Sequence, residues 1–276
     1  MARPLLDRRD RRMFLLVNRA RTRAAELSEE RPEHAFRVMT YNTHACVGTD
    51  RRLDLERVAR VAAEQKPDLL ALQELDVSRA RSGHVDQAED LARHLSMQAH
   101  FTCAFEPEDG RYGIAMLAAD KLHIELEGCL ATQGDEVRAA QWARFQVGTF
   151  HIDVVHTHLS VRLRDRTAQL DELFGQGWLG SRLTHPHLIV CGDLNALPYS
   201  AVYRKLSRKL RDVQRAHGRR ARATWPARLP LARLDHIFVS RGFEVLDCRV
   251  PRNALTRLAS DHLPVVADLA PIDGAA

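Results

Sequence analysis

The sequence lacks any apolar run that approaches the roughly 20 residues a membrane-spanning helix needs. The apolar stretch nearest its start, residues 13–17, is too short for the apolar region of a secretion signal. We therefore expect a cytoplasmic protein, and we leave open a peripheral attachment to the inner face of the membrane.

Cysteine is also scarce, with five residues in the chain. The count is odd, the residues are dispersed, and no C-x-x-C pair occurs. This pattern argues against a structural zinc site and against the disulfide framework of a small secreted domain. We expect buried, reduced thiols at the five positions, which are Cys46, Cys103, Cys129, Cys191 and Cys248.

The chain has 276 residues, of which 45% are hydrophobic and 28% charged, with a net charge of +5. This is enough apolar material for one large α/β domain. The basic balance favours an anionic partner, which could be nucleic acid, a phosphorylated small molecule or an anionic membrane surface.

Residues 1–34 differ from the rest because they are rich in arginine, with apolar residues at helical spacing. We predict a basic amphipathic helix there and a separate domain over residues 35–276. The helix could dock on the domain, or it could contact an anionic membrane or nucleic acid.

From residue 36 onward, apolar runs with strand and helix periodicity alternate. Helices are predicted at residues 53–64, 87–95, 164–174 and 200–215. Strands are predicted at residues 36–41, 68–72, 113–117, 141–147, 151–157, 187–191, 234–239, 244–249 and 263–269. Neighbouring strands without an intervening helix favour paired sheets with helices outside over a purely parallel sheet.

Polar side chains stand where the predicted strands end or begin, at the rim where loops build sites. Four of them are carboxylates: Glu74, Asp193, Asp235 and Asp261. Carboxylates that meet in one place repel each other unless a cation neutralises them, and oxygen ligands favour Mg²⁺, or alternatively Mn²⁺, over zinc.

The remaining polar residues suit phosphate chemistry. Asn42 and Asn195 can contact a metal or phosphate oxygen without adding charge, and His158 and His262 can donate to a phosphoryl oxygen or move protons near neutral pH. Each residue alone has a plain structural explanation, since a Gly-Asp-x-Asn stretch is often only a turn. Their combination predicts metal-assisted hydrolysis of a phosphate ester.

The order of these motifs resembles the endonuclease/exonuclease/phosphatase superfamily, which includes deoxyribonuclease I, abasic-site endonucleases, sphingomyelinases, inositol polyphosphate 5-phosphatases and deadenylases. The resemblance covers residues 36–270 and implies a deoxyribonuclease I-like, four-layer α/β/β/α sandwich. The motifs that carry it are Thr40-Tyr41-Asn42, Leu72-Gln73-Glu74, Thr157-His158-Leu159, Gly192-Asp193-Leu194-Asn195, Asp235-His236-Ile237 and Ser260-Asp261-His262.

The resemblance also implies roles for the residues. Glu74 would be the principal metal ligand, with Asn42 and Asp261 nearby. Asp193 would handle a proton, either by orienting the attacking water or by assisting the leaving group. Asn195 and His158 would hold the phosphate. His262, oriented by Asp235, would be the general base or a charged phosphate contact.

Two departures from the family pattern bear on the substrate. His44 stands where many nucleases carry a carboxylate, and Gly113-Ile114-Ala115 replaces a Gly-Asn-Ala motif, so an asparagine that faces the substrate in nucleases is missing. Residues 79–88 resemble a subgroup of small bacterial members. Members of the superfamily often place substrate contacts at the positions of Arg111, Tyr112, Arg138 and Trp142.

Three functions stay open at this point. The first is a phosphoesterase acting on a phosphodiester or phosphomonoester, with a lipid-linked substrate included. The second is a DNA or RNA endonuclease or exonuclease, for which the basic stretch at residues 204–228 would flank the mouth of the site. The third is a non-catalytic protein that binds a phosphate ligand. We expect a monomer in each case.

Overall fold

The computed structural model describes residues 32–273, apart from residues 133, 135 and 219. The helix predicted within residues 1–34 falls on residues 1–31, which lie outside the described part, so it stays a prediction. None of the helices among the described residues combines the length and apolar character that crossing a bilayer requires.

Twelve strands form two mixed sheets of six strands each among the described residues. The first sheet has the order β11-β12-β1-β2-β4-β3. Its strands are β1 (Phe36–Asn42), β2 (Leu69–Val77), β3 (Gln98–Phe105), β4 (Arg111–Ala118), β11 (Phe243–Arg249) and β12 (Val265–Pro271). The second sheet has the order β5-β6-β7-β8-β10-β9. Its strands are β5 (His123–Leu130), β6 (Arg138–Val147), β7 (Phe150–His158), β8 (Leu188–Asp193), β9 (Arg211–Asp212) and β10 (Asp235–Val239).

Six α-helices accompany the sheets in the described residues: α1 (Leu55–Gln65), α2 (Gln87–Leu95), α3 (Leu163–Leu173), α4 (Ala201–Ser207), α5 (Val213–Ala216) and α6 (Ala254–Ala259). The two helices that match their predicted bounds best, α1 and α2, each begin after a capping residue. Asp54 and Asp86 cap α1 and α2 by accepting backbone N–H groups of Arg57 and Glu89, at 2.9 and 3.0 Å.

Three apolar layers hold the sandwich together. Val38 and Leu69 of the first sheet meet Val154 and Ile237 of the second in the central layer. On the outer face of the first sheet, residues such as Met39 and Leu70 pack against α1, α2 and α6. On the outer face of the second, Val155 and Val190 pack against α3 and α4. The predicted four-layer α/β/β/α sandwich is therefore confirmed.

The predicted helix over residues 200–215 is wrong, because two helices and a short strand occupy this stretch. Asp212 is buried and accepts from the hydroxyl of Tyr203 at 2.6 Å, from Arg233, and from the backbone N–H of Gln214 at 3.0 Å. A side chain that caps the next turn interrupts a helix. Asp212 also pairs with Phe238 of β10, which draws the chain into the sheet.

Three elements were missed by the sequence analysis: β3, β5 and α6. The two strands lie at sheet edges, and most of their residues are only partly buried or exposed. Their apolar pattern is therefore weak. Helix α6 has six residues, and a reciprocal cap between Asn253 and Thr256 starts it.

The strand ends that carry the predicted site residues lie at one end of the sandwich. Strands β1 and β2 are parallel, as are β7 and β8, so their carboxyl ends point the same way. Strands β12 and β10 are antiparallel to β1 and β8, so the segments that precede them lie at the same edge. We call this end of the sandwich the site edge and the other end the opposite edge; both terms refer to the ends of the strands and not to the edge strands of a sheet.

A candidate active site between the two sheets

Glu74 owes its position to a bulge in β2. Pairing with β4 shifts by one residue between Gln73 and Leu75, and Glu74 is the unmatched residue. Its φ of 60° lies in the left-handed region, which costs energy for a residue with a side chain. The bulge turns the Glu74 carboxylate toward the site, where Asn42 Nδ2 donates to it. Gly113 lies opposite the bulge, and a Cβ there would lie 2.0 Å from the carbonyl oxygen of Thr102 on β3, so the β3–β4 pairing requires a glycine at this position.

Asn42 connects the two sheets at the end of β1. Its Nδ2 donates to Glu74 Oε1 at 2.9 Å and to Asp193 Oδ2 at 3.0 Å. Its Oδ1 accepts from the backbone N–H of His44 at 3.0 Å, which sets the orientation of the amide. One buried amide thus holds a carboxylate from each sheet.

Asp193 and His158 stand side by side because β7 and β8 pair in parallel at these two residues. The preceding pair joins Thr157 to Gly192, where a Cβ would lie only 1.8 Å from the carbonyl oxygen of Thr157. Gly192 therefore permits the close approach that places Asp193 Oδ2 3.5 Å from His158 Nε2.

Asp235 and His262 form a buried pair across the site. Nδ1 of His262 lies 2.9 Å from Asp235 Oδ2, and its Nε2 points toward Asp193 Oδ2 at 3.7 Å. Burial opposes a charge on this imidazole, but Asp235 and Asp193 outweigh burial and raise the pKa of His262 to about 10. His262 is therefore a cation at neutral pH.

Burial and the neighbouring Asp235 raise the pKa of Asp193 to about 6. The carboxyl group of Asp193 is thus a stronger base than an ordinary aspartate, and it stands between two histidines. A group with these properties can take up and release a proton near neutral pH.

His158 has donors on both sides. Its Nδ1 lies 3.3 Å from Arg138 Nη1, and its Nε2 lies 3.3 Å from Asn195 Nδ2. Burial and then Arg138 lower the pKa of His158 well below its usual range, so the ring is neutral. A neutral imidazole has one acceptor nitrogen, so one of these contacts sets donor against donor. An anionic oxygen would fit such an excess of donors.

Asp261 lies at the rim of the site. Its side chain is 37% exposed, and its Oδ1 is 3.9 Å from Nδ1 of His44. Trp225 Nε1 donates to Oδ2 at 3.3 Å. Ser260 connects this rim to the interior, because its hydroxyl donates to the carbonyl of Asn42 at 2.8 Å and lies 3.5 Å from Asp261 Oδ1.

The donor set fits a divalent cation. Carboxylate oxygens of Asp193 and Asp235 lie within 4.8 Å of each other. Asp235 Oδ1 is buried without a hydrogen-bond partner, and Glu74 offers a partly exposed carboxylate beside Asn42. Hard oxygen donors in surplus over nearby positive charge are what Mg²⁺ or Mn²⁺ binds.

A cleft of about 460 Å³ opens beside Glu74. Its lining combines basic and aromatic groups, with Arg79, Arg81 and Tyr112 among them. Asp76 holds Arg81 with two contacts of 2.7 Å, and the guanidinium lies 5.6 Å from the centroid of the Tyr112 ring. A rigid guanidinium at this place could bind an anionic group of a substrate.

The structure thus brings seven of the eight predicted site residues into one linked cluster and places the eighth, Asp261, at its rim. Of the four suggested substrate contacts, Tyr112 lines the cleft and Arg138 touches His158. Trp142 is different: its indole donates to Asp153 at 3.1 Å, and it packs in the outer apolar layer of the second sheet.

Sequence reasoning missed Thr224, whose hydroxyl lies 3.3 Å from the backbone N–H of Asp235. It also missed Arg79 and Arg81 as residues lining the cleft. Arg81 stands five residues after Asp76, and this pair could have drawn attention to it. Nothing in the sequence around Thr224 marks its role, since the contact depends on a loop that returns to β10.

Comparison with known proteins gives a consistent result. Residues 39–262 match the model of the Endonuclease/Exonuclease/phosphatase family. A protein of Escherichia coli strain K12, named "Uncharacterized protein YbhP", is 27% identical over 256 residues, which cover 88% of this chain and 99% of that protein.

Solved structures share the fold. The endonuclease/exonuclease/phosphatase from Beutenbergia cavernae is 21% identical, with a TM-score of 0.65, over 86% of this chain and 72% of that one. The mannosyl-6-phosphatase Bt3783 of Bacteroides thetaiotaomicron is 19% identical, with a TM-score of 0.68, over 85% and 99%. The human Nocturnin catalytic domain, solved with a bound sulfate anion, is 23% identical, with a TM-score of 0.65, over 87% and 95%.

Proposed function

The chain belongs to the endonuclease/exonuclease/phosphatase family, and from this premise we propose that it hydrolyses a phosphodiester or phosphomonoester with the help of Mg²⁺ or Mn²⁺. The observation that carries the proposal is the meeting of Glu74, Asn42 and Asp193 across the two sheets, within reach of the Asp235–His262 pair.

Glu74 would hold the cation, with Asn42 and Asp261 as neighbouring oxygen donors. A divalent cation at such a site neutralises phosphate charge and makes a bound water more acidic. The residues themselves support this assignment, since Glu74 is the only one of the four site carboxylates that lines the described cleft.

The phosphate group would rest against the donors around His158. Arg138, Asn195 and the N–H of His158 converge there. Preorganised donors stabilise the charge that builds up on phosphate oxygens in the transition state, and they do so best when water is excluded. His158 is 2% exposed, which satisfies this condition.

Asp193 and His262 would divide the proton work. Asp193 would orient the attacking water and accept its proton, because burial makes it a stronger base than usual. His262 would contact a phosphate oxygen as a cation, since Asp235 holds its Nδ1 and keeps it charged. Its Nε2 remains available to the substrate.

The proposal is tested with soluble substrates, bis(p-nitrophenyl) phosphate and p-nitrophenyl phosphate, with and without Mg²⁺ or Mn²⁺. We expect metal-dependent hydrolysis that Glu74→Gln and His262→Ala each lower by about a hundredfold or more. Glu89→Gln and His151→Ala are the matched controls, because both side chains are exposed and belong to neither the cleft nor the cluster. Full activity in either site variant would overturn the assignment.

A nuclease remains the second candidate, and the structure gives it a specific test. The basic stretch expected to flank the mouth includes α4, which packs on the outer face of the second sheet, where Lys205 pairs with Asp171 at 2.5 Å. Of this stretch, Arg228 reaches the site edge, where it donates to the carbonyl of Thr49. Cleavage of plasmid DNA or RNA at rates above those on the soluble esters would favour the nuclease.

A further inference from the structure

Exposed large apolar side chains are concentrated at the site edge. Of the eleven among the described residues, ten lie in segments that leave or enter this edge, or at the strand end that adjoins it. The exception is Ile272, which follows β12 at the opposite edge and is 44% exposed. The concentration of these side chains at one end distinguishes that end from the rest of the described surface.

Six of these side chains are leucines, and four of the six lie in four separate segments directly after an arginine. Their exposed fractions are 44%, 61%, 63% and 37% for Leu53, Leu163, Leu229 and Leu258. Each follows an exposed arginine in the chain: Arg52, Arg162, Arg228 and Arg257. We call these four arginine-leucine pairs the rim.

Three of the four pairs lie in segments that are connected through Thr49, which precedes Arg52 by three residues. The backbone N–H of Thr49 donates to the carbonyl of Leu258 at 3.0 Å, and Arg228 donates to the carbonyl of Thr49 at 2.7 Å. The fourth segment follows His158 and therefore leaves the same edge from the second sheet. The rim thus borders the mouth on both sheets.

The rim arginines are exposed and positively charged. Within the described residues, none of their four guanidinium groups takes part in an ion pair. Aspartates flank the pairs in the chain, but Arg57 pairs with Asp50 at 3.0 Å and with Asp54 at 3.1 Å, and Asp165 is buried. The rim thus presents positive charge beside exposed leucines.

We propose that the rim docks on the surface of an anionic phospholipid bilayer, with the catalytic mouth facing the headgroups. Leucines can enter the boundary between headgroups and acyl chains, while arginines keep their guanidinium groups among the lipid phosphates. Nucleic acid bases would stack on the exposed aromatic side chains of the site edge, Phe105, Tyr199 and Trp225, and would leave the rim leucines unused. A second copy of the chain would set rim arginines against each other.

The inference rests on the proposed function for one point, the nature of the substrate. A phosphoesterase whose mouth faces headgroups acts on phosphate esters in or at the membrane. The docking itself depends on the rim alone, so the two claims can fail separately.

The test is co-sedimentation of the full-length protein with vesicles of equimolar phosphatidylglycerol and phosphatidylcholine, and with vesicles of phosphatidylcholine alone. We expect binding to the anionic vesicles that weakens as salt rises. Leu163→Asp with Leu229→Asp should weaken binding by at least about tenfold, and Arg162→Gln with Arg228→Gln by about fivefold per arginine. Ile272→Asp, the matched control at the opposite edge, should bind like the wild type.

Thermal unfolding checks that each variant is folded, and Leu163→Ala with Leu229→Ala replaces the aspartates if they prevent folding. Binding that all rim variants retain would overturn the inference and assign the vesicle contact to other residues, those at 1–34 included. Equal loss in Ile272→Asp, or rim substitutions that dissociate a dimer instead, would overturn it as well.

The proposed function is checked in the same samples. His262→Ala should bind vesicles like the wild type while it loses hydrolysis of bis(p-nitrophenyl) phosphate. A wild type that binds vesicles but hydrolyses no phosphate ester defeats the proposed function and leaves docking intact. Hydrolysis of the soluble diester without vesicle binding defeats the docking inference and leaves the proposed function intact.

Discussion

The two ends of the β1–β12 strand pair both carry clusters of charged side chains, but their charges are balanced differently. Toward the opposite edge, Arg37 Nη2 donates to Asp268 Oδ2 at 2.9 Å, and Arg249, whose side chain extends there from the last residue of β11, donates through Nη1 to Asp268 and Asp247 at 3.2 and 2.9 Å. Two cations thus meet two carboxylates. At the site edge, four carboxylates face two buried cations, His262 and Arg138.

The comparison teaches that polar clusters at strand ends are not equivalent evidence of function. The cluster at the opposite edge satisfies itself, so its role is to hold β1, β11 and β12 together. The site edge has a surplus of negative charge and a buried carboxylate oxygen, Asp235 Oδ1, without a partner. A protein tolerates such an imbalance where a ligand or cation completes it.

The largest effect that would test this contrast is on catalysis. Asp235→Asn removes the charge that keeps His262 protonated, so we expect kcat to fall by about 10²–10⁴-fold. Steady-state hydrolysis of bis(p-nitrophenyl) phosphate measures the change. The matched substitution at the opposite edge, Asp268→Asn, should leave kcat unaltered; similar losses in both would erase the distinction between the two edges.

Stability should respond in the opposite way. Asp268→Asn leaves the guanidinium groups of Arg37 and Arg249 without a shared carboxylate in a partly buried place, which costs about 1–3 kcal/mol. Urea denaturation measures the free energy of unfolding. Asp235→Asn should cost less, since one oxygen of Asp235 already lacks a partner. A larger loss for Asp235→Asn would show that the site cluster is structural.

The stabilisation of the protein by a bound metal ion should depend on the site edge and not on the opposite edge. With Mg²⁺ at about a hundred times its dissociation constant, we expect the free energy of unfolding to rise by about 2.7 kcal/mol. Glu74→Gln should abolish most of this gain, whereas Asp268→Asn should keep it. Thermal unfolding across a magnesium titration gives the values, and a gain that Glu74→Gln retains would place the cation elsewhere.

The smallest expected effect is a difference in how the free energy of unfolding changes at acid pH. Arg37 and Arg249 outweigh burial and lower the pKa of Asp268 below its ordinary value. A lowered folded-state pKa contributes stability that is present above the unfolded-state pKa, about 3.9, and is lost as pH falls through the folded-state value. The wild type should therefore lose more stability than Asp268→Asn below about pH 4. Parallel slopes of unfolding free energy against pH would contradict this.

The sequence predicted the elements whose signals are local. Asp54 and Asp86 cap α1 and α2, and both helices lie within two residues of their predicted bounds. Strand β8 is buried throughout and begins with four apolar residues, as expected of a central strand. Edge strands β3 and β5 escaped prediction because a half-exposed strand needs no strong apolar alternation. The buried Asp212, which divides the predicted helix at 200–215, takes its partners from distant residues.

For the site, the chain alone determined which residue types follow which strands, because apolar runs and the polar residues at their ends can be found without a structure. Only the tertiary structure decided how they combine. Asn42 joins carboxylates from both sheets, Nε2 of His262 points toward Asp193, and Trp142 lies in an outer layer. Those choices depend on strand register and on the packing of one sheet against the other, and both are set by contacts between residues far apart in the chain.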